Sequence, residues 1–158
     1  MTRKFDYKLG IISDTHGLVR QSVVKLFKDV DLIVHAGDVG TQEALETLQT
    51  VATVHPVRGN VDSGEWTDKL PLTEVVEVGQ VYLYVLHDLN SLDLDPVTAG
   101  FNVVISGHSH IPKIKNKDGI LFLNPGSAGP IRFKYPASIA FLYIKGTSIE
   151  VELVELKE

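Results

Sequence analysis

Four histidines, two aspartates and one asparagine are the side chains whose types and spacing suit metal chemistry. They stand in five short clusters: Asp14-Thr15-His16, Gly37-Asp38, Gly59-Asn60, Leu86-His87 and Gly107-His108-Ser109-His110. Carboxylate, amide and imidazole together make a mixed oxygen and nitrogen donor set. Such a set suits Mn, Fe, Zn, Ni or Co and is poor for calcium. Asp14 and His16 are two residues apart, as are His108 and His110. Alternate residues of an extended segment share a face, so each pair can present both members to one site. The chain has no cysteine, which excludes a thiolate metal site, a thiol nucleophile and a disulfide framework. That absence fits a reducing compartment.

Side chains so far apart in sequence need elements that bring them together. Each cluster follows or adjoins a strand-like run, and strand ends in open α/β sheets are where ligand sites gather. Gly17, Gly37, Gly59 and Gly107 permit the sharp turns this requires. Apolar runs from Tyr7 to Ser13, Asp31 to Ala36 and Val51 to Val57 predict three strands. Between them lie two helical patterns. One places Val19, Val23, Leu26, Phe27 and Val30 at spacings of three and four; the other runs from Gln42 to Gln49 behind Thr41 as N-cap. This alternation predicts right-handed parallel crossovers.

After Pro71 the pattern turns to hairpins. Thr73 to Val78 and Val81 to His87 flank Gly79-Gln80, and Asn102 to Ser106 is a short buried run. Ile111 to Asn116 and Gly119 to Leu123 flank Lys117-Asp118; Ala137 to Ile144 and Ser148 to Leu156 flank Lys145 to Thr147. The expected fold class is α/β: a four-layer αββα sandwich of two packed mixed β-sheets flanked by helices. The first sheet is expected to be biased towards parallel pairing and the second towards antiparallel. No repeat, low-complexity tract or linker interrupts the chain, so residues 1–158 are read as a single domain.

A chain of 158 residues buries roughly 70% of its unfolded surface, enough for a core without staples. With 44% hydrophobic and 22% charged residues, it falls among globular proteins rather than disordered ones. The net charge of −5, spread without blocks of like sign, argues against nucleic acid as a general partner. No stretch approaches the roughly 20 apolar residues that span a bilayer. Met1 to Lys8 is polar and lacks a signal-peptide core, so a cytoplasmic location is expected.

The order D-x-H, G-D, G-N, H and G-H-x-H, as it stands from Asp14 to His110, resembles the calcineurin-like metallophosphoesterases. The short length and the Asn124-Pro125-Gly126-Ser127 segment resemble their small bacterial and archaeal phosphodiesterases. The likeness runs from Gly10 to about Ser127. It implies a hydrolase with two divalent transition metal ions, manganese first among Mn, Ni, Zn, Fe and Co. One metal would be held by Asp14, His16, Asp38 and His110, the other by Asp38, Asn60, His87 and His108, with Asp38 as the bridge. Asp38, Asn60 and His108 would serve catalysis through the metals. The reaction implied is attack of a metal-bridging hydroxide on a phosphodiester or related ester, without a covalent enzyme intermediate. A small-molecule phosphate ester is the substrate expected, and a homo-oligomer is in keeping with such proteins. Ligation requires neutral imidazoles, so activity should fall as pH drops through the histidine range.

Two positions depart from the resembled pattern. Larger members carry histidine after Gly-Asn as leaving-group acid; here that residue is Val61, which cannot transfer a proton. Substrates with acidic leaving groups are favoured in consequence. Asp62 is a candidate acid, with a turn carboxylate as the competing reading. Asp88 stands where the family has glycine after the histidine, and could lower the local potential, hold a histidine or restrict the loop.

Other residues have plainer readings. His35 and His55 are read as packed core histidines. Asn124 to Ser127 is first a turn, and its amides are a candidate phosphate cradle. Arg132 is either a phosphate contact or a solvated loop arginine; Trp66, Leu70 and Pro71 either line a rim or pack. The alternative function is a catalytically weak, phosphoesterase-like protein-binding scaffold, since the eukaryotic retromer contains a subunit of this fold that serves docking.

Overall fold

The computed structural model describes residues 4–131 and 134–157. Strands β1 (Tyr7–Ile12), β2 (Leu32–His35) and β3 (Val54–Pro56) are joined through α1 (Gln21–Leu26) and α2 (Gln42–Gln49). The register Leu9 to Leu32 and Ile33 to Val54 makes both pairings parallel, as the alternating pattern predicts. Thr41 caps α2 by accepting the Ala44 amide at 3.1 Å, satisfying a donor that the first helical turn leaves open. Helix α1 is shorter than its pattern. Arg20 offers it no side-chain cap, and it ends at Phe27. Val51 and Ala52 extend the last turn of α2 through bonds to the Leu48 carbonyl, so β3 starts later than the apolar run. Pro56 is tolerated there because β3 is an edge strand.

The rest of the chain completes that sheet and builds a second. After β4 (Thr73–Val78), β5 (Val81–Leu86), α3 (Pro96–Ala99), β6 (Val103–Ile105), β7 (Lys113–Lys117) and β8 (Ile120–Asn124), strands β9 (Ser138–Lys145) and β10 (Ser148–Glu155) return to β1. The sheet orders are β10-β9-β1-β2-β3 and β4-β5-β6-β8-β7. The second sheet is as mixed as the first. β5, β6 and β8 are parallel because β7 turns back on β8 and lies outside it, leaving β8 beside β6. The β7–β8 turn falls on Asp118 and Gly119, both at positive φ, one residue later than the sequence suggests. This is the Asp-Gly pair that two-residue hairpins favour.

The two sheets pack face to face. Leu9, Ile11, Val34 and Leu142 of the first meet Leu83, Val85, Ile105 and Leu123 of the second, all buried. Helices α1 and α2 cover the outer face of the first sheet through Val23, Phe27 and Leu48. Leu92, Leu94 and Phe101, around α3, cover Tyr84, Leu86 and Val104 on the outer face of the second. These four layers are the αββα sandwich expected. Among the described residues no helix is long and apolar enough to cross a membrane.

Candidate metal centre

Parallel strands share a direction, so their carboxyl ends collect on one side. Here β1, β2 and β3 end in Asp14, Asp38 and Asn60, while β5 and β6 end in His87 and His108. The first three come from one sheet and the last two from the other, and they meet where the sheets abut. The approach is close. The Asp14 amide donates to the Gly37 carbonyl and the His16 amide to the Asp38 carbonyl, each at 3.0 Å. The Gly107 amide donates to the His87 carbonyl at 2.9 Å.

Each carboxylate is held by one oxygen and offers the other. Asp14 Oδ2 accepts the Ser13 hydroxyl at 2.6 Å and the His108 amide at 3.1 Å. Its Oδ1 lies 3.4 Å from His110 Nε2, 3.8 Å from His16 Nε2 and 3.9 Å from His87 Nε2. Asp38 Oδ1 accepts the Val61 amide at 3.0 Å. Its Oδ2 lies 3.2 Å from His87 Nε2 and 3.7 Å from His16 Nε2. His87 is fixed in the same way. Its Nδ1 donates to the Ala36 carbonyl at 2.7 Å, the kind of outer hydrogen bond that aims the other nitrogen at a metal. Asn60 Oδ1 lies 2.9 Å from His87 Nε2 and 3.2 Å from His108 Nδ1.

Neither Asp14 Oδ1 nor His16 Nε2 has a hydrogen-bond partner, although both are buried. A buried polar atom without a partner carries a desolvation penalty that the fold normally avoids. A cation removes it. Asp14, His16 and His110 bring one ligand atom each within 4.8 Å of one another, as do Asp14, Asp38 and His87. These oxygen and nitrogen donors fit divalent transition metals.

Burial raises the Asp14 carboxyl above its ordinary value, against the opposing pull of the Ser13 hydroxyl and the His87 and His110 rings. Burial also acts on Asp38, but the His87 hydrogen bond and the Val61 amide outweigh it and the carboxyl is lowered. For His87, burial is outweighed by Asp38 and the Ala36 carbonyl, and the ring is raised. At Asp14 and His87 a metal would compete with a proton for the same lone pairs.

The backbone under the cluster is unusual. Asp14, His16, Asp38, His108 and His110 all have positive φ, between 47° and 71°. Side chains rarely adopt that region, and such residues gather at functional sites. Nothing in the sequence marks it. The glycines divide between two tasks. Gly37 has φ 101°, and a Cβ there would lie 2.6 Å from His87 Nδ1. Gly59 has no positive φ and supplies room instead, because a Cβ would strike Asp38.

The neighbouring candidates fall into place as supports. Asp62 is buried, and its oxygens accept the amides of Gly59 at 2.8 Å, Gly40 at 2.9 Å and Val39 at 3.3 Å. It is the turn carboxylate, binding the loop after β2 to the loop after β3, rather than an acid. Asp88 accepts the Asn90 amide at 3.0 Å, and its other oxygen lies 3.9 Å from His108 Nε2. The amides of Gly126, Ala128 and Gly129 bond to Asn124 Oδ1 and the Ser13 and Asp14 carbonyls. Of the amides within Asn124 to Ser127, that of Gly126 is engaged in this way, while Ala128 and Gly129 follow the segment. His35 is buried as expected, whereas His55, on edge strand β3, is only half-buried. Leu70 packs inside while Trp66 and Pro71 are half-buried; Arg132 lies outside the described residues. Arg58, which sequence reasoning passed over, lines a cavity of about 580 Å³ with Asn60, His87 and His108. Its place in Arg58-Gly59-Asn60 was the available signal.

Residues 7–147 match the description "Calcineurin-like phosphoesterase superfamily domain". A probable metallophosphoesterase of Methanothermobacter thermautotrophicus is 35% identical, the match covering 92% of this chain and 91% of that protein. An archaeal phosphodiesterase of known structure superposes with a TM-score of 0.78 at 22% identity, over 93% of this chain and 99% of the other. The Vps29 protein of Entamoeba histolytica, solved in complex with zinc, superposes with a TM-score of 0.74 at 24% identity, over 94% and 98%.

Proposed function

The chain belongs to the calcineurin-like phosphoesterase superfamily, and on that premise we propose that it is a dinuclear metal-dependent phosphodiesterase. The observation that carries this reading is the pair of buried atoms Asp14 Oδ1 and His16 Nε2, neither with a hydrogen-bond partner, set among carboxylates that each keep one oxygen for the interior. Asp14, His16 and His110 form one ligand set and Asn60, His87 and His108 the other. Asp38 joins both, because its Oδ2 lies between His16 and His87. Manganese is the first choice of metal, with Ni, Zn, Fe or Co able to use the same donors. Two such ions, when bound by these residues, would supply a nucleophilic water near neutral pH and charge to stabilise the attacking and leaving oxygens.

The protein's own contribution is orientation and charge. Ser13, the His108 amide and the Val61 amide lock the two carboxylates, and the Ala36 carbonyl locks His87. Arg58 places a permanent cation in the cavity beside Asn60, where a phosphate ester oxygen is drawn. The two residues after Asn60 offer no acid for the leaving oxygen: the Val61 side chain carries no proton to give, and Asp62 is engaged by backbone amides. Aryl esters and other substrates with acidic leaving groups suit such a site.

The test is hydrolysis of a bis-aryl phosphodiester with added manganese or nickel, comparing the wild type with Asp38→Asn. The substitution is expected to lower turnover by roughly a hundredfold or more, since it weakens both ligand sets at once. Metal-independent turnover, or an unimpaired variant, overturns the proposal. Absence of turnover in both leaves the scaffold reading, for which Vps29 supplies a shared fold.

A further inference from the structure

A second cavity, of about 470 Å³, opens on the other side of His108 and runs away from the metal cluster along β7. One wall is a row of lysines, Lys113, Lys115 and Lys117, at alternate positions of β7. Alternate residues of a strand share a face and lie about 6.8 Å apart. Lys115 stands opposite Phe122 in the β7–β8 register, so the half-buried phenylalanine ring lies on the face that carries the lysines. Leu89 and Ile111 add apolar surface, and Asp88 and His108 are at the end nearest the metals. Among the described residues none of the three lysines forms a salt bridge.

Charge on an edge strand is a common defence against unwanted pairing, and β7 is an edge. Lysine is its most common form. The edge strands β4 and β10 use glutamate instead, at Glu74 and Glu77 and at Glu150, Glu152 and Glu155, in keeping with a chain of net charge −5. Only the edge that borders the cavity beside the metal cluster is lined with lysine. Edge protection allows lysine but does not confine it to that place.

We infer that this groove is a subsite for a nucleotide-like substrate, its ring on Phe122 and a phosphate beyond the scissile one on the lysine row. The inference rests on the phosphodiesterase reading for the scissile phosphate, whereas the lysine row and Phe122 stand outside the ligand set. Bases stack on aromatic side chains without regard to sequence, and lysines bind phosphate as point charges. The volume suits a single nucleotide rather than a duplex, which needs a wide basic face.

The probe is thymidine 3′,5′-bisphosphate, titrated by calorimetry into the full chain with manganese and again after chelation. The Lys113→Gln/Lys115→Gln/Lys117→Gln variant is expected to bind about tenfold more weakly or worse in both conditions. The wild type should bind thymidine alone weakly by the same measure. Phe122→Leu should weaken the bisphosphate and leave inorganic pyrophosphate unchanged. Equal affinity of the wild type and the lysine variant after chelation overturns the subsite, as does absence of binding. Affinity that climbs steeply from mono- to tetranucleotide assigns the groove to single-stranded nucleic acid and also overturns it. Failure of the phosphodiesterase reading shows separately, as no metal-dependent turnover of the bis-aryl ester while the lysine dependence of binding persists.

Discussion

Thr15 stands between two candidate ligands in sequence, and its side chain serves neither. Its hydroxyl donates to the Val39 carbonyl at 2.8 Å and faces His35 Nε2 at 3.0 Å. The Gly37 amide donates to His35 Nδ1 at 3.1 Å, so the ring proton is on Nε2 and is given to Thr15. His35 thus ties the loop after β1 to the loop after β2 from beneath the cluster. Burial is the main reason its pKa falls from 6.5 to about 3, with the His87 ring adding to the effect. The unfolded chain takes up a proton below its ordinary value near 6.5, which the folded chain refuses until about 3. Stability is therefore full above 6.5 and declines as pH falls through that window. In chelated protein, the unfolding free energy of the wild type should fall more steeply below pH 6.5 than that of His35→Gln, by roughly 1 kcal/mol per pH unit. Parallel slopes in denaturant titrations would show that His35 is not the group that titrates. The candidate ligands are legible because their types and spacing are informative along the chain. The His35 strut was legible only as burial, since its partners at 15, 37 and 39 become neighbours through the parallel register of β1 and β2.

Loops at strand ends do the positioning, and they are built from constraints that oppose one another. Positive φ at Asp14 and Asp38 turns each carboxylate sharply off its strand, at a cost of about 1–3 kcal/mol per residue. Asp62 and the cross-loop amides hold the turns in place. Gly59 leaves just enough space for Asp38. Gly59→Ala should leave far-ultraviolet circular dichroism unchanged and weaken manganese binding by about tenfold or more, since it displaces the carboxylate that the proposed ligand sets share. Calorimetric titration checks this, and wild-type affinity in the variant would refute the role assigned to the gap. Elements with strong local signals were read closely, such as α2 with its Thr41 cap and the β4–β5 hairpin at Gly79-Gln80. The segment from Leu89 to Ala99 was not, although Asp95 before Pro96 is a helix-start signal; α3 is only one turn long. The parallel pairing of β6 with β8 was equally out of reach, because it depends on where β7 lies in space.

At the scale of the molecule, the proposed ligand atoms belong to two sheets that are otherwise joined chiefly by apolar packing. Asp14, His16, Asp38 and Asn60 extend from the first sheet, and His87, His108 and His110 from the second. A bound ion would therefore act as a cross-link between layers, and unfolding would have to break it. Ligands that bind only the folded state stabilise it by mass action, about 2.7 kcal/mol at one hundred times Kd. For a domain of this size that raises Tm by about 5–10 °C. Manganese should produce a shift of that order in the wild type, chelation should reverse it, and Asp38→Asn should respond by less than half as much. His16→Ala and His108→Ala sharpen the test, since they remove one ligand from each side of the sheet interface. Each should diminish the manganese shift if the cross-link spans the layers. A shift abolished by His16→Ala and untouched by both His108→Ala and His110→Ala would confine the ion to the first sheet and contradict the two-sheet centre.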